Sequence, residues 1–345
     1  MIGECSKVIE MLNGSNRHKK QYFQAAGNLQ FARGPIHNQF ETAVITGVCR
    51  SGKTTLGNIL ATSQYVENAE EPWTGMALPL MVGLKMIETE VGKEMFRKYV
   101  SELFNDKILL RSANFRPSDL SSIWSQKSPK EIFFRLAKLH TRKNVKDFIH
   151  ENPPLLIINL AETLPFASFF QQALPRVKLV VLVRKGLDVA MDSLEKQWNS
   201  WDELLKPTWP TMCRLYEYKG DRLQLPWWVS PAEEELFLSY SVFERGVYYW
   251  CQLMEQGLDE IDWLQKNTQC MLVHYENLIA DPEGIYNKTA QFLGIKASSL
   301  TPLAIEKVKE RKKGKTYSGE YQIASELVER LKSLYENLGY QDLSN

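Results

Sequence analysis

The chain predicts an α/β fold, a three-layer sandwich with a central, mostly parallel sheet and helices on both faces. Three observations carry that reading. Short apolar runs at 43–46, 155–158, 178–183 and 270–273 have the length and continuity of buried parallel strands. Segments with helical spacing of apolar residues separate them. The first run leads directly into Gly47-Val48-Cys49-Arg50-Ser51-Gly52-Lys53-Thr54, a GxxxxGKT sequence lying between a strand and a helix.

In chain order, residues 1–40 are polar with amphipathic stretches near 8–12 and 22–29, and read as an N-terminal helical extension. The main domain is expected over 41–345. Residues 56–61 continue helically from the glycine loop, and 84–150 read as mostly helical. The run 155–158 follows a Pro153-Pro154 break, and a helix is expected over 166–174. The strand 178–183 ends at Arg184, and a helix over 188–198 opens on Asp188, an acid suited to a helix N-terminus. After the strand at 270–273, a helix over 282–293 stops before Gly294. The stretch 198–250 breaks this alternation with Trp198, Trp201, Trp209, Trp227, Trp228 and Trp250 among several prolines. It is expected to be an aromatic-rich insertion beside the ligand-binding edge of the sheet, most of its tryptophans serving packing.

Composition removes several classes. The 345 residues carry a formal charge of +1, so no general field favours nucleic acid. The five cysteines are scattered and form no CxxC pair, which suggests reduced thiols rather than a disulfide framework or a zinc site. No secretory leader and no run long enough to span a bilayer is visible, so a cytoplasmic protein without a membrane span is expected.

The glycine loop has a direct chemical meaning. Glycines allow a tight turn that aims several N–H groups inward, the helix N-terminus adds positive potential, and Lys53 adds a full charge. Such a P-loop NTPase-like loop suits a phosphate. An ATP-dependent enzyme also needs a carboxylate to help hold magnesium. The two clearest later strands end instead in Asn159 and Arg184, so no metal is expected. Cys49, at a helix N-terminus among inward N–H groups, is expected to have thiolate character.

Longer stretches resemble the P-loop sulfotransferase family. Cys49-Arg50-Ser51-Gly52-Lys53-Thr54-Thr55-Leu56 is similar to its phosphosulfate loop, and residues 181–194, VLVRKGLDVAMDSL, resemble its strand–Arg–DVAxS motif. VHYENLIADPE at 273–283 with QFLG at 291–294 is similar to a later YEDLVxDPE…FLG segment. Glu70-Glu71-Pro72-Trp73 resembles the Glu-Pro pair of bacterial members, and Arg311-Lys312-Lys313-Gly314 more loosely its RKG element.

The resemblance implies transfer of a sulfonate from 3′-phosphoadenosine 5′-phosphosulfate (PAPS) to a hydroxyl or amine of a small-molecule, glycan or lipid-like acceptor. It implies that Arg50, Ser51, Gly52, Lys53, Thr54 and Thr55 hold the donor's phosphosulfate. Arg184, Ser193, Lys312 and Lys313 would hold its remainder, the 3′-phosphate above all. Sulfonate transfer needs a base and a positive charge at the leaving oxygen. Arg50 and Lys53 are expected to supply the charge and Glu71 the base, with Glu70 its competitor and His140 and His274 further candidates. Three positions depart from the family. Cys49 replaces Pro. Lys53 replaces Thr, which keeps an ATP-dependent P-loop kinase as an alternative. Asp192 stands at the usual Ser position, which keeps a catalytically silent nucleotide-binding relative as another.

Overall fold

Alternate residues of each central strand face opposite sides, and almost all of them are apolar, so each strand must be covered twice. In the computed structural model, which describes residues 40–119, 121–208, 212–267, 269–310, 316–319 and 321–340, this is what the strands do. Strands β1 (Glu41–Gly47), β2 (Val66–Glu70), β3 (Leu155–Ala161), β4 (Lys178–Val183) and β7 (Cys270–His274) form one sheet in the order β2-β3-β1-β4-β7. Every pairing in it is parallel, with Val44 opposite Ile158 and Thr46 opposite Val181. Val44, Leu156, Ile158, Val181 and Val183 belong to one core, whereas Ala43, Ile45, Ile157, Val180 and Leu182 belong to a second. The sheet therefore separates two hydrophobic layers, each closed by helices, as expected.

Helix α1 (Lys53–Leu60) follows the glycine loop and packs Leu56, Ile59 and Leu60 into the second core. Helices α2 (Trp73–Gly83) and α3 (Thr89–Ile108) cover the other face. Phe96, Val100, Phe104 and Ile108 recur every four residues along α3, and all are excluded from water. The short α4 (Ile123–Gln126), α5 (Pro129–Lys138) and α6 (Arg142–Glu151) complete the region read as mostly helical.

After β3 come α7 (Ser168–Ala173) and, beyond β4, α8 (Gly186–Glu195), which begins two residues before Asp188. The aromatic-rich stretch holds α9 (Trp201–Leu205), an antiparallel hairpin of β5 (Cys213–Tyr218) and β6 (Asp221–Pro226), α10 (Glu234–Ser239) and the start of the long α11 (Val242–Asn267). Trp227, Trp228 and Trp250 are buried there. Helices α12 (Tyr275–Ala280), α13 (Pro282–Leu293), α14 (Thr301–Lys309) and α15 (Ser325–Leu338) complete the chain. Helix α13 ends on left-handed Gly294, as its sequence predicts.

Residues 1–39, including the expected extension, and Trp209, Lys312 and Lys313 lie outside the described residues. Among the described residues no helix is long and apolar enough to cross a membrane.

Candidate active site

Ligands of open parallel sheets collect at the C-terminal ends of the strands, and here that edge is where the backbone departs from ordinary geometry. Gly47 at the end of β1 has φ 147°, and a Cβ there would run into the Leu182 carbonyl. Gly52, the N-cap of α1, has φ 95°, and a Cβ there would run into the Tyr275 ring. Both positions need glycine, and both serve the turn that carries the chain from β1 into α1. The first-turn N–H groups of α1 have no acceptor inside the helix. Ser51 is fully buried beside them, and its Oγ has no hydrogen-bond partner. Lys53 is almost fully buried, and its Nζ donates to the Val48 carbonyl at 2.7 Å. A loop with an orphaned hydroxyl, a buried ammonium and a helix N-terminus fits a phosphate or sulfonate.

Three residues around this loop hold left-handed backbones without being glycine: Arg50 (φ 66°), Glu71 (φ 41°) and Glu162 (φ 59°). Each lies just beyond a strand, β1, β2 and β3 in turn. Such strain costs about 1–3 kcal/mol per residue and persists where the surroundings impose it. The Glu71 N–H is held by the Asn159 carbonyl at 3.0 Å, and the Glu162 N–H by the Gly47 carbonyl at 3.2 Å. The backbone thus brings two carboxylates and a guanidinium to the edge of the loop.

The two adjacent acids have different surroundings. Glu70 faces the loop helix, where Thr54 and Ser121 hydrogen-bond its carboxylate, while burial raises its pKa above the ordinary range. Glu71 is half-buried, and its charge is felt by the Cys49 thiol.

Cys49 corrects an expectation. It is buried, its N–H donates to the Tyr249 hydroxyl at 3.0 Å, and its Sγ lies 3.8 Å from Glu162 Oε1. Burial, and then the Glu162 carboxylate, push the thiol far above its ordinary range, although Lys53 opposes this. The loop's cysteine therefore has little thiolate character, because its apolar cover outweighs the helix N-terminus.

Arg184, at the end of β4, is buried with its guanidinium 4.6 Å over the Tyr275 ring. Its Nη1 donates to the Arg50 carbonyl at 2.9 Å and to Asp192 Oδ2 at 2.7 Å. Trp250 Nε1 donates to the Arg184 carbonyl at 3.0 Å and fixes the backbone. Arg50, whose side chain is 41% exposed, reaches the same Asp192 oxygen at 3.3 Å. Asp192 therefore sits between the two arginines, which answers how an acid is tolerated at that position. The hydroxyl of Ser193, one residue on, is buried and donates back to the Val189 carbonyl at 2.9 Å. Thr55 is buried in α1, and Asp188 accepts from the Tyr317 N–H at 2.9 Å. His140 is exposed on the surface. His274 packs edge-on against Tyr340, and burial lowers its pKa.

The structure thus gathers Arg50, Ser51, Gly52, Lys53, Thr54, Glu70 and Glu71 at the loop, with Arg184 and Asp192 joined to it through Arg50. Two residues at this edge escape sequence reasoning. Glu162 had a signal, being the first charged residue after the apolar run of β3. Tyr249 had none, because α11 brings it to Cys49 from 200 positions away.

The family model for the sulfotransferase domain matches residues 41–332, most of the chain. The chain belongs to the sulfotransferase family, and its general activity is that of a sulfotransferase enzyme. Among solved structures, the sulfotransferase domain of the Synechococcus PCC 7002 olefin synthase is 12% identical, over 91% of this chain and 100% of that one, with a TM-score of 0.43. The sulfotransferase STF9 from Mycobacterium avium is 11% identical, over 90% and 78%, with a TM-score of 0.44. That from Alicyclobacillus acidocaldarius is 14% identical, over 91% and 98%, with a TM-score of 0.36. No curated protein matches the chain.

Proposed function

We propose that this protein transfers the sulfonate group of PAPS to a hydroxyl or amine of a small-molecule, glycan or lipid-like acceptor. The observation that carries the reading is the loop itself. Buried Lys53, partnerless Ser51 Oγ and the N-terminus of α1 converge there, with Glu71 held in strained geometry alongside. PAPS supplies an activated sulfonate. Ser51, Gly52, Lys53, Thr54 and Thr55 hold its phosphosulfate end, and Arg50 stands at the open side of the loop. Arg50 and Lys53 offset negative charge growing on the leaving oxygen. Glu71 takes the proton of the acceptor nucleophile. Arg184 orders the far side of the site, and Ser193, Lys312 and Lys313 remain assigned to the donor's second phosphate by resemblance.

The sulfotransferase family match over residues 41–332 weighs against an ATP-dependent kinase. The Asp192 contacts favour a second reading, a nucleotide-binding relative without turnover, because they occupy cationic groups that a second phosphate would use. The described cysteines are free thiols, which suits a reducing compartment such as the cytoplasm. Incubation with radiosulfur-labelled PAPS tests the reading. Wild-type protein transfers the labelled sulfonate slowly to water, giving free sulfate, and faster to an acceptor, giving a labelled sulfonated product, and the Lys53→Ala variant does neither. Tight nucleotide binding with no release under any condition would favour the silent relative.

A further inference from the structure

A cleft opens beside the loop. Cys49, Glu162, Leu204, Pro226, Trp228 and Tyr249 line its buried part. Buried Asn199 and the half-buried Trp198, Glu203, Pro207, Cys213 and Gln224 complete the lining. The cleft encloses about 530 Å³ of empty space, its open mouth included. The deep part is narrow, and a single ring or short alkyl chain matches it better than a sugar does.

The charge of the lining is one-sided. Among the described residues it contains two carboxylates, Glu162 and Glu203, and no lysine, arginine or histidine. Glu162 is buried between a tyrosine, a cysteine and apolar walls, and its backbone is held at φ 59°. A carboxylate in such surroundings favours an occupant that brings an N–H or O–H donor, and repels one that brings a negative charge. The cleft is also continuous with the loop. Cys49 belongs to both, and the Glu162 N–H donates to the Gly47 carbonyl at 3.2 Å.

We infer that this cleft is the acceptor site and that it takes a narrow, apolar-bodied amine or alcohol whose N–H or O–H donates to Glu162. The term acceptor rests on the sulfonate-transfer reading; the binding does not. Glu162 orients the nucleophile beside the loop, and Trp228 and Trp198 cover the apolar body.

Three compounds of closely matched skeleton test the inference: phenethylamine, phenethyl alcohol and phenylacetate. Titration without nucleotide, by calorimetry and by tryptophan fluorescence, is expected to show binding of the amine and the alcohol and none of the carboxylate. Glu162→Gln is expected to weaken the amine about tenfold, the loss of one charge-assisted hydrogen bond, and to leave the alcohol much less affected. Cys213→Trp keeps Glu162 and fills the half-buried side of the cleft, so it is expected to abolish binding of both. Melting temperatures near wild type establish that each variant is folded, and Cys213→Trp decides alone if Glu162→Gln is not. Binding of phenylacetate equal to that of the amine, or unchanged binding in Cys213→Trp, overturns the inference. If the amine and alcohol bind as stated but labelled PAPS never yields a sulfonated product, the cleft assignment stands and the sulfonate-transfer reading fails. If sulfonated product forms in Cys213→Trp at the wild-type rate, the transfer reading stands and the cleft assignment fails.

Discussion

Arg184 Nη1 and Asp192 Oδ2 lie 2.7 Å apart, with both side chains nearly excluded from water. Arg50 joins the same oxygen from the loop. The pair links the end of β4 to α8 and, through Arg50, to the phosphate-binding turn. Breaking a buried pair from one side costs about 3–5 kcal/mol, because the remaining charge loses its partner.

Asp192→Ser is therefore expected to lower the free energy of unfolding by about 3 kcal/mol. The same change removes a negative charge from beside two arginines. Affinity for adenosine 3′,5′-bisphosphate is expected to rise by about tenfold or more, or 1.4 kcal/mol. Denaturant unfolding with and without the nucleotide measures both effects. Equal affinity in wild type and variant would place the second phosphate away from this cluster.

Lys53 is buried and donates to the carbonyl of Val48 in its own loop. Lys53→Ala is expected to change stability by no more than about 1.5 kcal/mol, the worth of a neutral hydrogen bond. Its effect on the bisphosphate nucleotide is expected to be larger, a loss of roughly ten- to a hundredfold, as for a charge-assisted contact of about 1.5–3 kcal/mol. Calorimetric titration separates the two. Unchanged affinity would remove Lys53 from the phosphate site.

Cys49 is expected to resist alkylation. Burial and Glu162 hold its thiol far above the usual range, so the reactive thiolate is scarce near neutral pH. Mass spectrometry of protein treated with iodoacetamide at neutral pH is expected to find Cys49 unmodified in the native state and modified after denaturation. Rapid native labelling that nucleotide blocks would restore the thiolate expectation and show the loop to be open.

Glu71→Gln keeps size and polarity but cannot take a proton, so turnover is expected to fall by about a hundredfold or more with little change in nucleotide affinity. Glu70→Gln is expected to act differently. Its amide oxygen still accepts from Thr54, so turnover changes little and any loss falls on donor affinity. Initial rates with labelled PAPS decide. A dead Glu70→Gln variant beside an active Glu71→Gln variant would move the base by one residue.

The parts legible in the sequence are those whose partners are close in the chain or whose burial is two-sided. Strands β1, β3 and β4 announce themselves as apolar runs because both faces are covered. The loop is legible because its glycines are required by its own backbone. Strand β2, Val66–Glu70, gives no such signal, because it buries Glu67 and Asn68. Glu67 is satisfied by Lys127 at 3.6 Å and Arg135 at 2.7 Å, and Asn68 by Asn159 at 3.3 Å, all from distant segments. The same holds at the site. Arg184 and Asp192 are visible eight residues apart, but the arrival of Arg50 on the same Asp192 oxygen depends on the fold. The thiolate expectation for Cys49 failed for the same reason, since Tyr249 and the surrounding apolar cover come from elsewhere in the chain.

The central claim is that the loop binds a phosphosulfate nucleotide of the PAPS type. A thermal-shift comparison of adenosine 3′,5′-bisphosphate with Mg-ATP tests it most directly. A ligand present at a hundred times its Kd stabilises the native state by about 2.7 kcal/mol. At matched concentrations, a melting temperature raised clearly by the bisphosphate and hardly at all by Mg-ATP is the predicted result. Stabilisation by Mg-ATP alone would contradict the account.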